Sequence, residues 1–181
     1  MTLKYLTLTR RSARSTELPS IMSIISQPVL VLVLVVICTL LYTASAGTTP
    51  EGRAWLAKKG TEDGVVTTDS GLMYKVLRSS DSGKTPQVST PCSCHYAGTL
   101  IDGTEFDSSY SRGSPTTFAP NQVIKGWTEA MQLMKEGDMW ELYIPSELAY
   151  GDRGAGRMIP GGAPLVFKLE LLEVKGPAKE L

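Results

Sequence analysis

One histidine and three cysteines among 181 residues leave little room for metal or nucleophile chemistry. With His95 the sole imidazole, His-rich metal sites are excluded, as is any Ser-His or Cys-His pair that does without it. Cys38 sits in an apolar N-terminal run. Cys92 and Cys94 stand two apart, which on a strand points both at one face but leaves them too far apart for an easy bridge. A metal site there would need two more ligands, and only His95 is near, so buried free thiols are expected and no metal or cofactor. GxSxG, HExxH, a P-loop and a GxGxxG after a strand are all missing, and enzyme classes built on a nucleophile, a metal or a nucleotide are therefore unsupported. An excess of one charge is missing as well. The chain has 18 Lys+Arg and 18 Asp+Glu, and Lys4, Arg10, Arg11, Arg14 and Glu17 are the charges of residues 1–46. The remainder holds 14 basic against 17 acidic residues. A mildly acidic domain carries no electrostatic footprint for nucleic acid.

Long apolar runs are confined to the N-terminus. Arg10, Arg11 and Arg14 precede Val29–Tyr42, in which only Thr39 is clearly polar, and Ala44-Ser45-Ala46 follows as a small-x-small sequence before Gly47. That order is the layout of a secretory signal peptide over 1–46 cleaved after Ala46, and it implies a secreted protein. The rival reading is an anchor counted from Ile21, which Ser23, Ser26, Gln27 and Pro28 interrupt. A membrane is a partner only if this segment stays uncleaved.

Beyond it, Thr49-Pro50-Glu51 reads as an N-cap, a proline at the first helical position and an acid in the first turn, with Lys58-Lys59-Gly60 closing the helix. Residues 47–70 are read as a helical arm over Pro50–Lys59 and a linker over Thr61–Ser70. The arm is expected to be an appendage, with Trp55 and Leu56 its apolar contacts and Trp55 open to docking on a partner. The main domain, 71–176, is expected to be α+β: an antiparallel sheet, with 177–181 a tail. Leu72–Arg78, Ser93–Leu100, Thr104–Ser108, Met139–Ile144 and Leu165–Val174 read as strands, Asp102-Gly103 as a hairpin turn, and Pro115–Pro120 as irregular. In Asn121–Met134, the residues Trp127, Ala130, Met131 and Met134 recur at i, i+3, i+4 and i+7. They form one apolar face of a short helix that must pack on the sheet, since it is too short to be stable alone. Pro145–Pro164 reads as a loop, and a loop that long is usually functional.

Aromatic and apolar residues then concentrate near one place: Tyr96, Phe106, Phe118, Val123, Ile124, Trp127, Tyr150, Ile159 and Phe167. Asp107 follows Phe106, and Arg112 is a short reach away. By themselves these residues fit a hydrophobic core with a surface acid. Two tyrosines and a carboxylate in apolar company also fit a small-ligand pocket, with Trp127 as its floor.

The motifs carry a more specific likeness. His95-Tyr96-Ala97-Gly98, Gly103-Thr104-Glu105-Phe106-Asp107-Ser108-Ser109, Val123-Ile124-Lys125-Gly126-Trp127, Ala149-Tyr150-Gly151, Ile159-Pro160 and Leu165-Val166-Phe167 occur in that order. From about Ser70 to Val174 the chain resembles the FKBP-type peptidyl-prolyl cis-trans isomerases, and the arm and leader are most similar to the secreted macrophage infectivity potentiator (Mip) subgroup. The resemblance implies a half-barrel sheet curled around the short helix, an isomerase acting on X-Pro bonds of peptides and proteins, and affinity for tacrolimus and rapamycin. It implies Trp127 as the platform for the prolyl ring and Tyr96, Phe106, Val123 and Phe167 as walls. The Ile124 amide and Tyr150 hydroxyl would hold substrate carbonyls, with Asp107 oriented by Tyr96 and Arg112. Phe118 and Ile159 complete the binding residues. Thr116 stands where many relatives carry an aromatic, and Gly161 replaces a frequent second proline. Mip relatives often dimerise through a long helical stalk. The short Gly47–Ser70 arm implies a monomer. A peptide-binding chaperone or surface module of the same fold is the alternative to the enzyme.

Overall fold

The computed structural model describes residues 47–81 and 83–176. The apolar run Val29–Tyr42, the Ala44–Ala46 sequence and the 177–181 tail lie outside the described residues. In chain order the elements are α1 (Pro50–Lys59), β1 (Val65–Thr67), β2 (Met73–Arg78), β3 (Cys92–Leu100), β4 (Glu105–Ser108), β5 (Thr116–Phe118), α2 (Lys125–Leu133), β6 (Met139–Ile144) and β7 (Leu165–Val174). The strands form one open antiparallel sheet in the order β1-β2-β6-β7-β3-β4, with β5 paired to the first half of β3. This is the α+β architecture expected.

The period-two pattern of the strands sets the core. Leu142 and Ile144 of β6, Leu165, Leu169 and Leu171 of β7, and Cys92 and Cys94 of β3 are all fully buried on one face. Trp127, Ala130 and Met131 of α2 and Met134 at its C-cap join the same cluster, so the short helix gains from tertiary packing the stability its length denies it. Both cysteines are free and buried, as their spacing implied. Burial pushes the Cys92 thiol up to about 11 and the Cys94 thiol up to about 12, with Glu136 adding to the first and Cys92 to the second.

Several expectations need correction. The Thr61–Ser70 stretch is no plain linker, because Val65–Thr67 pairs with Met73–Lys75 and adds an edge strand. Pro115–Pro120 is not irregular throughout, since Thr116–Phe118 pairs with Cys92–Cys94. The helical segment is shorter than Asn121–Met134. A 3₁₀ turn spans Pro120–Gln122, Val123 is extended, and the α-helix begins at Lys125. The long loop is organised by 3₁₀ turns at Ser146–Leu148 and Gly151–Arg153 and by a bridge between Ala155 and Ile159.

The arm is the largest correction, because it docks. Thr49 caps α1 through its hydroxyl, which accepts from the Gly52 amide at 3.1 Å. Trp55 then meets Tyr143 edge-on at 5.8 Å and 70°, and the Lys59 ammonium lies over both rings. Tyr143 points off the core face of β6, yet it is 1% exposed because the arm covers it.

Candidate functional site

Above the N-terminal end of α2 lies a cavity of about 670 Å³. The sheet supplies Tyr96 from β3, Phe106 and Asp107 from β4, Phe118 from β5 and Phe167 from β7; Val123, Ile124 and Trp127 come from the helix entrance, and Tyr150 and Ile159 from the long loop. Strand alternation puts Tyr96 and Phe167 on the core face, and the antiparallel register brings Gly98 opposite Phe167. Gly98 makes the close packing there feasible. A Cβ on it would lie 2.6 Å from Phe167 and 2.7 Å from Phe106, the two rings that meet edge-on at 5.5 Å.

Trp127 is the floor. It is 3% exposed and takes edge contacts from Tyr96 at 5.1 Å, Phe167 at 5.1 Å and Phe118 at 5.8 Å. Such edge-to-face geometry adds to the burial of the rings and holds them rigid. Ile124 precedes the first turn of α2, where helix amides have no carbonyl of their own helix to bond.

One wall is polar and already satisfied. The Tyr96 hydroxyl donates to Asp107 Oδ2 at 2.6 Å, and Arg112 donates to Asp107 Oδ1, to the Tyr96 hydroxyl at 2.8 Å and to Thr116 Oγ1 at 3.3 Å. Burial raises the Asp107 carboxyl, but the bonds from Tyr96 and Arg112 outweigh it and hold the group below the usual carboxylate value. Burial and the bond to Asp107 push the Tyr96 hydroxyl up, with Arg112 opposing. Asp107 is therefore an anion and Tyr96 a neutral phenol around neutrality, and neither is poised to trade protons. Thr116, which stands where many relatives carry an aromatic, accepts from Arg112.

Tyr96 is also held from its other side. Ser109 is fully buried, and its hydroxyl accepts the Tyr96 amide at 2.7 Å and reaches the Tyr96 carbonyl at 3.2 Å. It also meets His95 Nδ1 at 2.8 Å, and the His95 ring stacks on Tyr110 at 4.6 Å. His95 is absent from the cavity lining, as its place next to Tyr96 on the strand required.

Of the expected site residues, Tyr96, Phe106, Asp107, Phe118, Val123, Ile124, Trp127, Tyr150, Ile159 and Phe167 come together around this one cavity. Arg112 does not line it and bonds to Asp107, Tyr96 and Thr116 behind the wall. The lining adds Gln122, Ala155, Gly156, Arg157 and Met158, which sequence reasoning missed. The signal for the last four was their place in the long loop, whereas Gln122 belongs to the 3₁₀ turn before α2. Ala155 and Ile159 exchange both backbone hydrogen bonds, at 2.9 and 3.1 Å, and so turn Gly156-Arg157-Met158 into a tight tip at the cavity mouth.

Comparison with known proteins agrees with this geometry. A family model described as FKBP-type peptidyl-prolyl cis-trans isomerase matches residues 82–172, and one described as the domain amino terminal to it matches 42–76. The chain is 48% identical over 128 residues to the macrophage infectivity potentiator of Trypanosoma cruzi, covering 71% of this chain and 65% of that protein. It is 49% identical over 124 residues to the FKBP-type 22 kDa peptidyl-prolyl cis-trans isomerase of Escherichia coli, covering 68% of this chain and 60% of that one. The crystal structure of FkpA from Escherichia coli superimposes with a TM-score of 0.67 at 36% identity, over 84% of this chain and 74% of that chain. The matches thus span about two thirds or less of the length of these two curated relatives.

Proposed function

Because the chain belongs to the FKBP-type peptidyl-prolyl cis-trans isomerase family, we propose that the aromatic cavity catalyses rotation about X-Pro peptide bonds. Amide resonance opposes that rotation with a barrier of about 18–20 kcal/mol and puts charge on the oxygen and nitrogen. The twisted transition state has lost that charge separation. A dry apolar site therefore favours the twisted amide over the planar one relative to water, and no covalent step or proton acceptor is needed. The prolyl ring rests on Trp127 between Tyr96, Phe106 and Phe167. The Ile124 amide and the Tyr150 hydroxyl take substrate carbonyls. Asp107, tied to Tyr96 and Arg112, orients the wall.

The observation that carries this reading is the Trp127 floor ringed by aromatic edges, with the single acid of the wall already paired. It also supports affinity for tacrolimus- and rapamycin-type macrolides, which present a proline-like ring to the same floor. A protease-coupled assay on X-Leu-Pro-Phe peptides, with and without rapamycin, is the test. Turnover blocked by stoichiometric rapamycin is expected, and binding without turnover would favour the chaperone reading. We place the protein in the secretory pathway, cleaved after Ala46 and released as a monomer. A concentration-independent dimer mass in light scattering would refute the last point.

A further inference from the structure

Gly47, the residue after the small-x-small sequence, sits between two carboxylates that are about a hundred residues away in sequence. Its N–H donates to Asp152 Oδ1 at 2.5 Å. Its φ is +113°, a conformation that favours glycine, and a Cβ at this position would lie 2.3 Å from Glu147 Oε1 and have to push that side chain aside. The next residue is clamped by the same acid. The Thr48 amide donates to Glu147 Oε1 at 2.8 Å and the Thr48 hydroxyl to Oε2 at 2.6 Å, while the Ser146 amide donates to Thr48 Oγ1 at 2.8 Å. Thr48 is 1% exposed, and the Thr49 amide donates to the Gly162 carbonyl at 2.9 Å. Three successive residues are thus pinned to the loop that carries Tyr150.

From this we infer that Asp152 and Glu147 form a socket for the α-ammonium group that cleavage before Gly47 creates. The inference rests on the processing reading given above. Hydrolysis of the Ala46–Gly47 bond by a signal peptidase adds water across it, leaving a carboxylate on Ala46 and an amine on Gly47. While the bond is intact, the Gly47 nitrogen offers one neutral N–H to two anionic side chains. After cleavage the same nitrogen carries three protons and a positive charge, already at charge-assisted hydrogen-bond distance from Asp152. Glu147 is ready for it. Burial raises its carboxyl, but the hydroxyl and amide of Thr48 outweigh that and hold it below the usual carboxylate value.

Two observations meet at one peptide bond. The leader places a cleavage signature on its N-terminal side, and the folded domain holds a positive-φ residue that favours glycine on its C-terminal side. The carboxylates belong to the turns Ser146–Leu148 and Gly151–Arg153, which bracket Tyr150 at the cavity. Gly161, the departure from the frequent proline, lets the second turn approach, since a Cβ there would lie 2.1 Å from the Asp152 carbonyl oxygen. The Gly162 amide then closes on the Gly151 carbonyl at 2.9 Å. Arg53 of α1, whose guanidinium donates to the Thr48 carbonyl, is the cation that faces the site from the arm.

An α-amine ordinarily titrates at about 7.7–8.0, and opposite charges close by favour its charged form. Its folded value is therefore raised. The stability it contributes is full below the ordinary value and is lost as pH rises through the raised one. The test uses the full chain with residues 41–46 replaced by the recognition sequence of a protease that leaves glycine at the new terminus. Cut and uncut protein from one preparation are compared. The cut form is expected to melt higher than the uncut form at pH 7 and to lose that advantage by about pH 10. Its α-amine, followed by isotope-edited NMR, is expected to titrate at least one pH unit above that of a Gly-Thr-Thr peptide, and Asp152→Asn should remove at least half of that shift. An α-amine at the peptide value, or a shift indifferent to Asp152→Asn, would overturn the socket. N-terminal sequencing of the unmodified chain exported from a secreting host separates the two ideas. A start at Gly47 with an unshifted amine rejects the socket alone, whereas any other start rejects the processing and the inference with it.

Discussion

Asp107→Asn is the substitution that separates desolvation from proton transfer. It keeps the side chain's size and one acceptor for the Tyr96 hydroxyl, and it removes the charge facing Arg112. A hydrogen bond to a charged group is worth about 1.5–3 kcal/mol when shielded, but the Asp107 side chain is 44% exposed and solvent screens both of its partnerships. The aromatic contacts of Tyr96 with Trp127 and Phe118 do not pass through the carboxylate. The transition state should therefore lose no more than about 1.4 kcal/mol, or tenfold in kcat/KM. Phe106→Ala is expected to lose more, because it takes away the ring that meets Phe167 and opens a wall to water. Replacing a buried Phe by Ala costs about 3–5 kcal/mol of folding free energy, and the half-buried Phe106 should fall below that range. The pH profile decides the mechanism. Asp107, with its value depressed, contributes stability that is present above its unfolded value of about 3.9 and is lost only as pH falls through the lower folded one. Tyr96, raised by burial, stays neutral throughout this range. In a protease-coupled assay, kcat/KM should be nearly flat from about pH 6 to 8 in both wild type and Asp107→Asn. A bell-shaped wild-type profile that the substitution abolishes, or a loss beyond about 100-fold, would refute the desolvation account.

Gly98→Ala should drive a methyl into Phe106 and Phe167, costing about 1–3 kcal/mol by overpacking and lowering the Tm with a loss of activity. Thermal unfolding and turnover of the same preparation check both. Trp55→Ala uncovers Tyr143 and should cost about 1–3 kcal/mol of stability while kcat/KM holds, since Trp55 is no part of the cavity lining. Denaturant titration alongside the isomerase assay would read the two apart. Thiol labelling at pH 8 should leave Cys92 and Cys94 unreacted in the native protein and modify both in denaturant, because burial keeps the thiolates scarce. Arg157, at the cavity mouth, should favour an acidic residue beside the substrate proline. Arg157→Glu should reverse the ratio of kcat/KM between Glu- and Lys-bearing peptides, and an unchanged ratio would exclude that role.

How much of this was legible in the sequence depends on the range of the interaction that fixes each residue. Tyr96, Phe167 and the face of α2 were readable because a period of two or 3.6 is a local property, and a single buried side is enough to reveal it. Tyr143 was not. Alternation put it outside, and what buries it is Trp55, 88 positions away on an arm whose own pattern says only that it is a helix. The short strands Val65–Thr67 and Thr116–Phe118 failed for a related reason: three residues are too few to establish a period, and their pairing partners decide their state. The loop tip Gly156-Arg157-Met158 carries no apolar pattern at all, and two backbone hydrogen bonds between Ala155 and Ile159 put it at the cavity. Thr116 makes the same point from the polar side. By residue type it is only a departure from the aromatic many relatives carry, whereas beside Arg112 it is one more acceptor in the network around Asp107. Residue type and spacing thus locate the floor and walls of the site. Its rim and its orienting shell are set by contacts across the sheet, and the residues there take their roles from neighbours that no window of sequence contains.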